Sequence, residues 1–281
     1  MSLSVVSHAD AVAFLKRAEP WLLERETEHT LVLSIALAQA AADAPNTDAF
    51  FATVEQDGEV VGVSFRTPPH KLSVSRMPLE AVPLLVDEVA GRYESIPAVL
   101  GPKDVAEAAA ERWTRLRGGS WEQGMGQGLY RLDTVVWPPA PPPGSVRAPL
   151  PEEADLMIEW IAGFARDAGE QFAVPADEVR AWVAREGFFM WDDGGPVSIA
   201  RASGDTPNGM RVGFVYTPPE LRGRGYASAL VAEVSQIILD RGFSFCTLYT
   251  DLSNPTSNRI YQRVGYVPVM EFVDADITGP A

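Results

Sequence analysis

A mixed α/β fold, built twice over, is what this sequence predicts, and three observations predict it. Residues 212–227 join a strand to a helix through a turn rich in glycine and arginine. A proline-dense stretch, Trp137–Gly144, divides the chain near its middle. On both sides of it, elements recur in a matching order: hairpin, strand, helix, strand, helix, strand.

In the first half, the Ala-rich run Leu31–Ala42 is broken by Ser34 and Gln39, so it reads as a packed helix and not a membrane span. Residues 50–65 form a hairpin around Asp57-Gly58, a pair suited to the positive φ angles of a tight turn. Then come a strand from Lys71 to Arg76, a helix over 79–92, a strand from Ala98 to Leu100, a helix over 104–117 and a strand from Gln127 to Val136. Five prolines in the six residues 138–143 block regular pairing and make a stiff spacer. The expected domains are therefore 1–136 and 145–281, with 137–144 as linker.

The second half opens with a helix over 152–169, whose apolar set is Leu156, Ile158, Trp160, Ile161 and Phe164, and a second helix over 176–186. Residues 188–200 form a hairpin turning at Asp193-Gly194-Gly195. Arg211–Tyr216 is β-branched and aromatic, hence a strand, and Pro218 and Pro219 stop it. A helix follows with Tyr226, Leu230, Val234, Ile237 and Ile238 on one stripe. Phe243–Thr250 is the next strand, entered through Gly242. Asn254 suits an N-cap, Pro255 the first helical position and Gly265 a left-handed stop, which bounds one more helix. Val267–Val273 ends the series as a strand.

Composition narrows the chemistry. The net charge of −15 argues against unspecific binding to nucleic acid or anionic membranes. The single cysteine, Cys246, rules out an internal disulfide and multi-cysteine zinc sites, and is expected to fill core. His8, His29 and His70 all precede residue 71, so the second half has no histidine for a triad or a His-based metal site. The amino terminus carries no basic-then-apolar pattern, and a cytoplasmic protein is expected.

The turn at 222–227 is the most informative stretch. Gly223 and Gly225 let the backbone turn tightly and remove side chains that would hold an anion away. The first amides of the following helix lack internal partners, and with the positive dipole end they favour a phosphate. Arg222 and Arg224 can add charge-assisted bonds. Downstream, Asn254, Asn258 and Tyr261 stand at i, i+4 and i+7, a polar stripe on one helix face where packing alone would favour apolar residues.

Arg222-Gly-Arg-Gly225-Tyr-Ala227 resembles the coenzyme A loop of the GNAT superfamily of N-acetyltransferases, and Asn254 to Tyr266 resembles that family's carboxyl-terminal motif. The resemblance implies two tandem domains, each a mostly antiparallel sheet splayed at its cofactor strands, with acetyl-CoA as co-substrate and no metal. The first domain would be degenerate, since Met77-Pro78-Leu79-Glu80 stands where the loop should be. By the same resemblance Phe214, Val215, Tyr216 and Thr217 would line the acetyl and pantetheine region. Arg222, Gly223, Arg224, Gly225, Tyr226 and Ala227 would hold the diphosphate, and Asn254 and Asn258 the pantetheine arm. Tyr261 would act as acid to the departing thiolate.

The resemblance implies an acyl-CoA N-acyltransferase acting on a small-molecule amine or a peptide N-terminus, as monomer or homodimer. Many family members place a carboxylate base on the cofactor strand, and this one has none. Glu170 is the first candidate, with Asp167 and Asp251 behind it. Arg201 could face the acceptor cleft, although strand arginines are commonly exposed. Tyr266 is expected to be structural. Two other readings stay open: an acyl-CoA-binding sensor or scaffold without transfer activity, and an unrelated α/β fold binding another nucleotide.

Overall fold

The hairpin signal at Asp57-Gly58 is realised with φ of 51° and 88° at the two turn residues, and the turn sets the register of the strands around it. The computed structural model describes residues 2–168, 174–184 and 187–279. These divide into two units: Met1–Gly128 with Met270–Ala281, and Leu129–Val269.

In the first unit, β1 (Leu3–Ser7), β2 (Phe50–Gln56), β3 (Glu59–Arg66) and β4 (Leu72–Val74) run antiparallel in that order. β5 (Ala98–Gly101) joins β4 in parallel. The last strand of the chain, β12 (Val267–Thr278), pairs antiparallel with β5 from Val273↔Gly101 to Asp276↔Ala98. Helices α1 (Ala11–Glu24) and α2 (Thr30–Ala41) cover one face through Phe14, Leu22 and Leu33 against Phe51 and Phe65. Asp10 caps α1 by accepting the Ala13 amide at 2.8 Å. On the other face α3 (Val82–Arg92) and α4 (Lys103–Arg117) pack Leu85, Val86 and Trp113 onto Leu72 and Val99.

The second unit repeats the order. β7 (Ser145–Arg147), β8 (Phe188–Asp192), β9 (Pro196–Ser203) and β10 (Gly209–Tyr216) are antiparallel, and β11 (Phe245–Asp251) joins β10 in parallel. Beside β11, where β12 stands in the first unit, lies β6 (Ser120–Leu132). The chain thus places the last strand of each half in the sheet order of the other half's elements. α5 (Ala154–Asp167) and α6 (Ala176–Ala184) cover one face, α7 (Tyr226–Asp240) and α8 (Pro255–Val264) the other.

These units differ from the division expected at 137–144. The boundary falls inside β6, which runs as one strand from Ser120 to Leu132. The proline stretch lies wholly within the second unit, where Trp191 Nε1 donates to the Pro143 carbonyl at 2.9 Å.

Candidate functional site

Where β10 and β11 part, the second unit opens a fork. Their parallel pairing runs Gly209↔Phe245, Met210↔Cys246 and Arg211↔Thr247 and stops there, although β10 continues to Tyr216 and β11 to Asp251. On its other edge β10 carries a bulge: Gly213 faces Arg201 and Tyr216 faces Ile199, which leaves one extra residue on β10. Phe214 takes up that excess at φ 50°, left-handed backbone that a non-glycine residue enters only when its surroundings fix it. Its ring is fixed by Phe164 at 5.4 Å, Trp182 at 5.8 Å and Phe188 at 6.2 Å. Ser198 Oγ then holds the strand end, donating to the Tyr216 carbonyl at 2.9 Å and lying 2.9 Å from Thr217 Oγ1.

Beyond the strand end lies the glycine loop. Gly223 (φ 78°) and Gly225 (φ 88°) are left-handed, and Gly225 is the N-cap of α7 without a side-chain cap. The Arg222 amide donates to the Pro219 carbonyl at 3.3 Å, but the amides of residues 223–228 find no acceptor among the described residues. Residues 222–225 are exposed, so these donors face solvent beside the helix dipole's positive end.

The side chains of the loop behave differently from its backbone. Arg222 Nε donates to the Thr217 carbonyl at 2.9 Å, and its Nη2 pairs with Asp167. Arg224 stays at the surface, with a 3.3 Å bond to the Glu220 carbonyl. Tyr226 is buried and donates to Asp193 Oδ2 at 2.6 Å, which ties α7 to the β8–β9 turn. Tyr226 is therefore an anchor of the loop.

From the other prong, α8 supplies Asn254, Asn258 and Tyr261. Asn254 caps the helix, accepting the Ser257 amide at 3.1 Å, as its position predicted. Asn258 Nδ2 donates to the carbonyls of Asp251 at 3.1 Å and Leu252 at 3.2 Å, while its Oδ1 is buried without a partner. An orphaned acceptor costs about 1–3 kcal/mol and fits a ligand donor. Tyr261 is 8% exposed and its hydroxyl makes no hydrogen bond among the described residues. Burial pushes its phenol up to about 12. Tyr266 is structural: its hydroxyl lies 2.9 Å from Ser235 Oγ in the core. Cys246 fills core too, its thiol raised to about 12 by burial.

The carboxylates fare less well. Asp167 is committed to Arg222, and Asp251 accepts both the amide and the hydroxyl of Ser253 at 2.8 Å to form a turn. Glu170 lies outside the described residues. Arg201 departs from the exposed arginine that strand statistics favour: its guanidinium sits 3.7 Å above the Trp182 ring. No local signal could have found this, since Arg201 comes to share a face with Arg211 and Gly213 only through the β9–β10 register.

Comparison with known proteins agrees with this geometry. The sequence model of the acetyltransferase (GNAT) family matches residues 154–266. A mycothiol acetyltransferase of Amycolatopsis mediterranei is 31% identical over 102 residues, covering 33% of this chain and 34% of that protein. The chain thus spans about a third of the length of this curated relative. Among solved structures, a Drosophila protein has 14% identity, 99% coverage of both chains and a TM-score of 0.72. A GCN5-related N-acetyltransferase from Sphaerobacter thermophilus has 17% identity, covers 96% of this chain and 94% of its own, and gives 0.59. A tandem GNAT protein from the clavulanic acid biosynthesis pathway has 14% identity, full coverage of both chains and 0.55. At such identities the structural likeness speaks for the fold.

Proposed function

We propose, from the match of residues 154–266 to the acetyltransferase (GNAT) family model, that the second unit moves an acetyl group from acetyl-CoA to a primary amine by direct attack. One observation carries this reading. The amides of 223–228, unpaired among the described residues, follow the end of β10, and Asn258, with its orphaned Oδ1, is bonded to the end of β11, the two strands that part.

Acetyl-CoA brings a thioester carbonyl and a thiolate leaving group. In this reading the loop amides and the α7 dipole hold the diphosphate, with Arg224 free to add charge. Arg222, tied to Asp167 and Thr217, shapes the loop and contributes its charge from there. Asn258 Oδ1 accepts an N–H from the pantetheine arm, and main-chain groups of β10 next to the bulge take the part of an added strand's partners. The amine nitrogen attacks the thioester carbonyl, the C–S bond breaks, and the Tyr261 hydroxyl donates to the departing sulfur. The amine's proton passes to Glu170, which we assign the base role from its place in the chain after α5, or to water.

The test is isotopically labelled acetyl-CoA incubated with a mixed panel of amines, alongside melting curves with acetyl-CoA, ATP and NAD. Label appearing on an amine, with a rise in melting temperature specific to acetyl-CoA, is the expected result. Binding of acetyl-CoA without transfer would favour an acyl-CoA sensor, which the absence of an uncommitted carboxylate among the described fork residues keeps in view. A shift with ATP or NAD alone would sink both.

A further inference from the structure

One face of the fork carries two positive charges that no described residue pairs with. Arg201 on β9 stands opposite Gly213, and Arg211 on β10 stands opposite Ser203, so both guanidinium groups rise from the same face of neighbouring strands. Neither makes a salt bridge or hydrogen bond among the described residues. Arg211 is only half-buried as a residue, yet its Nη1 is sealed from water with no partner. Arg201 lies 3.7 Å above the Trp182 ring, with Phe188 at 5.5 Å and Phe214 at 5.9 Å, which walls one side with aromatic surface.

An arginine does not shed its proton at neutral pH, so both charges persist. Burial pulls Arg201 down to about 10, and Arg211 pulls it further in that direction. Burial lowers Arg211 likewise. The other titratable groups facing them are Glu178 on α6, whose charge is felt by Arg201 without an ion pair, and Tyr249 on β11, which burial holds neutral at about 12. Two adjacent cations in a low-dielectric cleft call for an anion, since an uncompensated buried charge is strongly destabilising.

The place of this pair says what the anion belongs to. Arg211 marks the last paired position before β10 and β11 separate, and the space over Gly213 is open, with no atom where a side chain would begin. The face is that of α5 and α6, opposite α7 and α8, which carry the glycine loop, Asn258 and Tyr261. A ligand there would meet the fork from the side away from the diphosphate loop. Planar forked donors match a carboxylate's two oxygens, and the diphosphate of the coenzyme has its own loop on the other face.

Resting on the acetyltransferase reading above, we propose that Arg201 and Arg211 bind the carboxylate of the acceptor, so that the second unit acylates an amino-acid-like amine. The aromatic wall of Trp182, Phe188 and Phe214 gives that acceptor's apolar part a surface to lie on. In the step itself the acceptor's neutral amine forms the new C–N bond as the thioester C–S bond breaks. Its carboxylate is only held.

The experiment compares phenylalanine, leucine and glutamate, each with its own α-amide, as acceptors with acetyl-CoA, by release of the coenzyme thiol. The amides have less basic amines and are intrinsically the readier nucleophiles at a given pH, so a preference for the acids reports recognition. We expect the acids to lead by roughly tenfold or more in kcat/KM, as a site built to pair with a polar group rejects analogues lacking it. Arg211→Met and, separately, Arg201→Gln should collapse the acid-to-amide ratio toward one. An unchanged acetyl-CoA melting shift shows that each variant folds.

Equal rates for acids and amides would overturn the proposal. So would succinyl-CoA outdoing acetyl-CoA with the same arginine dependence, since the carboxylate would then belong to the acyl donor. If acetyl-CoA binds but no amine reacts, calorimetry on the protein–CoA complex with N-acetylphenylalanine and its amide decides. Acid-selective binding lost in Arg211→Met supports the site, and binding without acid selectivity sinks it. Failure of acetyl-CoA itself to bind would instead strike the transferase reading.

Discussion

Replacing Tyr261 by phenylalanine removes one oxygen and little else. In the structure Tyr261 is 8% exposed, and its hydroxyl makes no hydrogen bond among the described residues. Its loss should therefore cost little stability and leave the melting temperature nearly unchanged. Its worth in turnover can be bounded from its acidity. Burial holds the phenol at about 12, whereas an ordinary thiol sits near ~8.5. Complete proton transfer to the leaving thiolate would run uphill across about 3.5 pH units, roughly 5 kcal/mol. The phenol is thus better suited to stabilise the developing charge through a hydrogen bond than to surrender its proton early. A hydrogen bond to a charged group contributes about 1.5–3 kcal/mol, so kcat should fall by roughly 10- to 150-fold in Tyr261→Phe. The KM for acetyl-CoA should change little, because the interaction grows only as the sulfur becomes anionic. Steady-state release of coenzyme thiol, with melting curves on the same preparations, measures all three quantities. An unchanged kcat would make Tyr261 a packing residue, and a drop of several degrees in melting temperature would mean that its hydroxyl has a partner in the folded chain.

Gly225→Val forces a branched side chain onto a left-handed N-cap at φ 88°, and should abolish the acetyl-CoA melting shift; a full shift would remove the loop from the site. Asn258→Ala deletes two bonds to the β11–α8 turn and the orphaned Oδ1. We expect about 1–2 kcal/mol of destabilisation by denaturant melts and at least roughly tenfold weaker acetyl-CoA binding, and unaltered binding would contradict the role given to Oδ1. Burial pushes His8 and His29 below the usual 6.5. The unfolded chain then binds more protons than the native one as pH falls, so their contribution is whole above 6.5 and is lost below it through the depressed native values. Melting between about pH 7.5 and 5.5 should show this decline, and His29→Gln should flatten it; an equally steep slope would assign the decline to other groups. Calorimetric titration should find one acetyl-CoA per chain, and two would contradict the closed fork of the first unit described below.

What the sequence made legible follows how local each signal is. The β10–loop–α7 and β11–α8 junctions were readable because glycine, proline and asparagine act on their own backbone: Gly225 and Gly265 are left-handed and Asn254 caps. The hairpin at Asp57-Gly58 was readable for the same reason. The placement of β12 beside β5 was not, since nothing within Val267–Thr278 records which edge it will meet. Nor could spacing tell that Arg222 would turn to Asp167, that Tyr226 would anchor on Asp193, or that Arg201 and Arg211 would share a face without a counter-ion. These outcomes depend on elements distant in the chain. The compact units part inside β6 and not at the proline run, whose stiffness is local.

The two units share a strand order, yet only one has a fork, and the difference comes down to a few atoms. In the first unit β4 and β5 pair at Leu72↔Val99 and Ser73↔Leu100, and one residue further they are still in contact. A Cβ on Gly101 would lie 2.4 Å from Val74 Cγ2 and 2.7 Å from its carbonyl oxygen, so the backbones approach closer than any side chain allows. In the second unit the equivalent pairing ends at Arg211↔Thr247, and a Cβ on Gly213 would meet nothing within 4 Å. Glycine thus serves opposite ends: at Gly101 it lets two strands close, and at Gly213 it keeps the floor of an opening clear. The bulge at Phe214, for which the β3–β4 pairing shows no counterpart, turns β10 away from β11 where β4 stays beside β5. After each strand the chain then diverges again. Pro78 leads straight into a 3-10 turn and α3, whereas Gly223 and Gly225 expose a row of amides before α7. A diphosphate needs the amides and a pantetheine arm needs the gap. The first unit, having neither, is left with a packed sheet where the second has room for a ligand.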